Sequence, residues 1–159
     1  MQISRSLAAC LFVAAAALAL PKTVLAHCQV PCGIYGDQRR FEQMLEDEQT
    51  ISKAQVTLGE LSEAGPDPQN INQIVRWVNT KEEHASRVMT TISTYFLAQR
   101  IKTDDPKYSE KLMAAHKVML MAMKAKQSAD PATAKSLEKA IFDFYRAYEG
   151  KEPQFDHKH

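Results

Sequence analysis

Apolar positions recur at helical spacing along nearly all of the chain after Asp37. Phe41, Met44, Leu45, Ile51, Ala54, Leu58 and Leu61 fall on one stripe at intervals of three, four or seven. Gly65-Pro66-Asp67-Pro68 then interrupts the pattern, and this combination ends a helix. A second stripe runs through Ile71, Ile74, Val75, Val78, Ala85, Val88, Met89, Ile92 and Phe96, stopping at Thr103-Asp104-Asp105-Pro106. There Asp105 suits an N-cap and Pro106 the first helical position. Leu112, Ala115, Met119, Leu120 and Met123 mark a third helix. Asp130-Pro131 repeats the cap-plus-proline start of a fourth, with Ala134, Leu137, Ile141, Phe144, Tyr145 and Tyr148 on its stripe and Gly150 as its C′ residue. No segment alternates with period two. The pattern predicts an all-α, up-down-up-down four-helix bundle over residues 37–150.

The N-terminal end breaks this pattern. Arg5 precedes a continuous apolar run from Leu7 to Leu20, and Val24 and Ala26 stand at the −3 and −1 positions of a cut before His27. This is the layout of a signal peptide over residues 1–26, and the run is short for a membrane span of about 20 residues. Cleavage by signal peptidase leaves residues 27–159 as one mature domain. Loss of Arg5 and Lys22 takes the formal charge from +1 to −1. Such a chain carries no basic footprint for nucleic acid or a membrane surface. The expected location is periplasmic or secreted, or cytoplasmic if a dedicated peptidase removes the leader instead.

Cleavage also removes Cys10, leaving Cys28 and Cys32 beside the new terminus. A loop this short does little to staple a fold. A plain disulfide in an exported protein is one reading of the pair. The other is metal ligation. With His27 first, its α-amine, the Cys28 amide nitrogen and the Cys28 thiolate close two fused five-membered chelate rings. Pro31 and Gly33 let the chain curl so that the Cys32 thiolate fills a fourth position. Two nitrogens and two sulfurs in a plane suit nickel(II) or copper(II) and not tetrahedral zinc. The His27 imidazole then hangs over the plane as an axial ligand. The methionines of the third helix (Met113, Met119, Met121, Met123) are spread around it and read as gap-filling side chains, not thioether ligands.

The stretch His27-Cys28-Gln29-Val30-Pro31-Cys32-Gly33-Ile34-Tyr35, ahead of a four-helix bundle, resembles the nickel hook of nickel-containing superoxide dismutases. Thr94-Tyr95-Phe96 and the Lys126–Thr133 segment (KQSADPAT) carry the resemblance through the bundle. It implies a homohexamer with one nickel per subunit, cycling between Ni2+ and Ni3+ while superoxide is converted to oxygen and hydrogen peroxide. It implies His27, Cys28 and Cys32 as ligands within a hook at 27–35, and Tyr35 and Tyr95 lining the access pocket. Glu42 would hold the axial imidazole and Lys126 would attract the anion. Thr80 stands where family members carry an arginine beside that imidazole, with Lys81 and Arg76 as the nearest substitutes. The alternative is an exported nickel or copper carrier without turnover.

Overall fold

The computed structural model describes residues 36–155. Four helices make up most of this span: α1 (Asp37–Glu63), α2 (Pro68–Thr90), α3 (Tyr108–Gln127) and α4 (Pro131–Glu149). The second runs on without a break as a π-helix, Thr91–Arg100. Among the described residues there is no strand, and no helix is long and apolar enough to cross a membrane. Each helix packs chiefly on two neighbours, α1 on α2 and α4, and α3 on α2 and α4. The all-α four-helix bundle is therefore as the apolar periodicity predicts.

The helix ends follow from local chemistry. Asp67 and Asp130 are N-caps whose carboxylates accept from backbone N–H groups, at 2.8 Å from Gln69 and 2.9 Å from Ala132. Each is followed by a proline at the first helical position. Gly150 closes α4 at φ 72°, a left-handed conformation that favours glycine. The expected cap at Asp105 is displaced. Here α3 starts at Tyr108, and Asp105 instead anchors the preceding turn, accepting from the Lys107 N–H at 2.7 Å and from Lys111 Nζ at 2.6 Å.

The core is aromatic at one end. Phe41 is fully buried, with ring centroids 4.9 Å from Phe96, 5.2 Å from Phe144 and 5.0 Å from Tyr145. Two of the apolar stripes are only partly as expected: Ala85, Val88, Ile92 and Phe96 of the second and Ala115 of the third are buried, but other members are not. In α2, Ile71 and Val75 are about half exposed, and the buried positions are Asn70, Lys81, Ala85 and Val88. In α3, Leu112, Leu120 and Met123 are exposed, while Ala115, Val118, Met121, Ala122 and Ala125 face inward. Alanines let the helices approach closely, so the larger apolar side chains are left on the outer face.

At the other end, side chains from three helices close the C-terminus of α3. Buried Lys81 donates to the Ala125 carbonyl at 3.3 Å and to that of Lys126. Gln55 Nε2 reaches the Ala125 and Ser128 carbonyls and, at 2.8 Å, Thr133 Oγ1 on α4. A cation at the negative end of a helix is favourably placed, and the otherwise orphaned carbonyls gain donors.

Glu48 is a buried acid, 5% exposed on α1, with no such donor among the described residues. Burial and the nearby Glu138 charge push its carboxyl up to about 7. Below about pH 4.5 the folded and unfolded chains both hold this proton, so Glu48 costs nothing. As pH rises toward 7 only the unfolded chain releases it, and stability falls. Glu48→Gln is expected to raise unfolding free energy by about 1–3 kcal/mol at pH 8 and to change it little at pH 4.5, measured by urea titration. An equal gain at both pH values would mean that charge is not the cause.

Candidate functional site

Three donors converge on one carboxylate at the start of α1. Tyr95 Oη donates to Asp37 Oδ1 at 2.5 Å. Arg100 Nη2 and Tyr148 Oη both donate to Asp37 Oδ2, at 2.6 and 2.8 Å. Tyr95 and Arg100 come from the π-helix and Tyr148 from the last turns of α4, so the cluster ties two elements to the residue two positions after Tyr35. Burial pushes the Asp37 carboxyl up, but the bonds from Arg100, Tyr95 and Tyr148 outweigh it and hold the group below its ordinary range. Burial and the Asp37 charge push the Tyr95 hydroxyl up to about 12. The same two causes raise Tyr148, and the bond to Asp37 raises Arg100.

Two further cations sit against these rings. The Arg40 guanidinium lies 5.1 Å from the centre of the Tyr95 ring, and Lys111 Nζ lies 5.2 Å from that of Tyr148. The π-helix gives Tyr95 its setting. Ile101 N–H bonds to the Phe96 carbonyl at 2.8 Å, and Gln99 Nε2 reaches the Thr94 carbonyl, both across five residues. Tyr95 and Phe96, adjacent in sequence, are both buried there. Such segments are rare and recur at functional sites.

The other expected residues are distributed as follows. Tyr95 belongs to the cluster. Glu42 lies one turn into α1, where its Oε1 accepts from Gln38 at 3.0 Å, and no hydrogen bond among the described residues joins it to Asp37. Lys126 lies near the end of α3, its Nζ 3.1 Å from Ser86 Oγ. Ser86 precedes Tyr95 by nine residues, roughly 13 Å along a helix, so Lys126 and Tyr95 are set apart within one chain. Lys81, named above as a substitute for the expected arginine, is committed to the end of α3. Thr80 and Arg76 line an open groove of about 850 Å³ between α1 and α2, together with Glu46, Lys53 and Trp77. His84, on α2, pairs its Nδ1 with Asp47 Oδ1 of α1 at 2.6 Å.

His27, Cys28, Cys32 and Tyr35 lie outside the described residues. Among the described residues no group of three or more His, Cys, Asp and Glu side chains is arranged to hold a metal ion. The chemistry of the donor set fits nickel: two thiolates, an amide nitrogen and a terminal amine are soft or strongly donating ligands of the kind that suit a tetragonal ion. Asp37, Arg100 and Tyr148 escape a reading of the sequence, since they meet only in the fold. Comparison with curated proteins and comparison with solved structures each give no match. The family model of nickel-containing superoxide dismutase matches residues 22–152. A match over most of the chain, spanning the His-Cys-x-x-Pro-Cys segment and all four helices, places it: the chain belongs to the nickel-containing superoxide dismutase family.

Proposed function

We propose that the chain dismutes superoxide at a nickel ion held by the His27 amine and imidazole, the Cys28 amide nitrogen and thiolate, and the Cys32 thiolate. The observation that supports this reading is the family match over residues 22–152, a range that contains His27, Cys28 and Cys32. When bound, nickel would supply the one-electron couple between Ni2+ and Ni3+ by which one superoxide gives up an electron to become oxygen and another takes one electron and two protons from solvent to become hydrogen peroxide. The protein's part is to hold the donors, admit a small anion and limit water. Tyr35 and Tyr95 line the approach. Tyr95 stays protonated up to about pH 12, so it is a neutral group throughout the working range. Glu42 accepts the free N–H of the His27 imidazole and fixes the ring, as second partners of metal-bound histidines do. Lys126 contributes positive charge that draws the anion in.

The mature chain starts at His27 after residues 1–26 are removed by signal peptidase, and it works in the periplasm or outside the cell. It binds one nickel per subunit and assembles as a homohexamer. The exposed Met113, Leu120 and Met123 on α3 supply apolar surface that assembly would cover.

The test is elemental analysis and dismutase assay on protein whose first residue is confirmed as His27. About one nickel per chain with turnover is the expected result, and one extra residue before His27 is expected to remove both. Nickel bound without turnover would leave a metal carrier. No nickel in correctly processed protein would overturn the reading.

A further inference from the structure

We propose that Asp37 is a positioning residue that takes the hydroxyl proton of Tyr95, so that the phenol meets the reaction site as a hydrogen-bond acceptor and not as a donor. This rests on the dismutase reading above. A phenol has one O–H to give and lone pairs to accept with, and an ionised carboxylate only accepts. The single Tyr95 proton is directed at Asp37 Oδ1, at 2.5 Å. The two carboxylate oxygens divide the work. Oδ2 receives both Arg100 and Tyr148, while among the described residues Tyr95 is the only hydrogen-bond donor to Oδ1. Two donors on Oδ2 fix the rotation of the carboxylate, and that rotation aims Oδ1 at Tyr95. Arg100 and Tyr148 thus orient the group that orients Tyr95.

The consequence concerns the substrate. Superoxide is an anion and brings no proton, so a lone-pair face does not bind it directly. What that face holds is a donor: a water molecule, or hydrogen peroxide as it leaves. Tyr95 then serves by fixing a water whose own protons point onward to the anion.

The experiment uses nickel-loaded full-length mature protein with Asp37→Asn, Tyr95→Phe, the double variant and Tyr148→Phe. Nickel content, helical circular dichroism, tyrosinate absorbance from pH 8 to pH 11 and kcat/KM are measured for each. In the parent the Tyr95 ionisation, identified by subtracting the Tyr95→Phe curve, is expected to lie above the titrated range. In Asp37→Asn, with the carboxylate charge and bond gone and burial still raising it, it is expected to fall below the parent's position and to show its onset within that range. Nickel is expected to stay unchanged in all four variants. Asp37→Asn and Tyr95→Phe are each expected to lower kcat/KM by roughly 3- to 30-fold, with the double variant no worse than the weaker single. Tyr148→Phe, which leaves the Oδ1 bond in place, is expected to lower it by less than about 3-fold.

A Tyr95 ionisation that stays out of range in Asp37→Asn, or single effects that multiply in the double variant, would overturn the proposal. Should Asp37→Asn fail to fold, Asp37→Ser removes the same carboxylate with a smaller side chain. It is expected to bring the Tyr95 ionisation down from its parent position, and an unmoved ionisation there counts equally against the proposal. A parent protein without nickel or turnover is a distinct failure. It removes the dismutase reading, while the titration still decides whether Asp37 holds the Tyr95 proton.

Discussion

Cys28→Ser is expected to leave the purified chain with almost no nickel and to lower dismutase activity by more than about 100-fold. Replacing a mere partner of a metal ligand typically costs 10- to 100-fold, and loss of the ligand itself exceeds that. The substitution keeps the size of the side chain and changes its chemistry. A thiol near a metal gives up its proton readily and offers a soft, electron-rich sulfur, whereas the serine hydroxyl stays protonated at neutral pH. On the proposed donor set, loss of the Cys28 thiolate would also open one of the two fused chelate rings. The bundle itself should not notice: its buried core runs from Phe41 to Tyr145, so the melting temperature of metal-free protein is expected to be unchanged. Metal analysis, activity and thermal unfolding on the same preparation separate the two effects. Full nickel with full activity in this variant would remove Cys28 from the ligand set.

Phe41→Ala is expected to have the largest effect on stability. Its ring is fully buried and lies within 6 Å, centre to centre, of Phe96, Phe144, Tyr145 and Tyr148. Removing a buried phenylalanine costs roughly 3–5 kcal/mol, through lost transfer energy and the cavity left behind. A domain of ordinary stability has only about 5–15 kcal/mol in total, so the variant should melt about 10–20 °C lower. Urea denaturation measures the difference directly. Met113→Ala, at a position 67% exposed on α3, serves as the comparison and should lie within about 0.5 kcal/mol of the parent. A loss below 1 kcal/mol at Phe41 would mean that the aromatic cluster repacks freely.

The helices and some of their ends were legible in the sequence because their causes are local. Asp130-Pro131 and Gly150 act through backbone groups a few residues away, and the fold uses both as expected, whereas Asp67 caps α2 where only a helix break was read and the cap expected at Asp105 is displaced. Which face of α2 and α3 points inward was less legible. Ile71, Val75, Leu112 and Leu120 outweigh the alanines in any count of apolar residues, yet close helix approach selects the alanines for burial. The π-helix left no local signal, since Tyr95 and Arg100 are fixed by a carboxylate 58 and 63 residues earlier.

The site divides along the same line. The expected ligands His27, Cys28 and Cys32 are proposed from the sequence because they are neighbours in a short motif that also carries the family resemblance, and they lie outside the described residues. Tyr95 is legible only through that resemblance. Asp37, Arg100 and Tyr148 are ordinary polar residues in sequence, and Tyr148 lies 111 residues from its partner. Nothing short of the folded bundle puts them together.

The corner where α3 ends has a bearing on how the molecule comes apart. Gln55 of α1, Lys81 of α2, the last carbonyls of α3 and Thr133 of α4 meet within a few bonds of one another. A segment held by its neighbours in sequence can fray alone, but this one is held by every other helix. Opening it severs ties to all of them at once, so the 128–130 connection has no low-energy route to partial release. Surface loops are ordinarily the first places a protease finds a foothold. Here the connection between α3 and α4 is exposed to solvent yet shares the fate of the interior, and the bundle as a whole sets the rate at which that peptide could be cut.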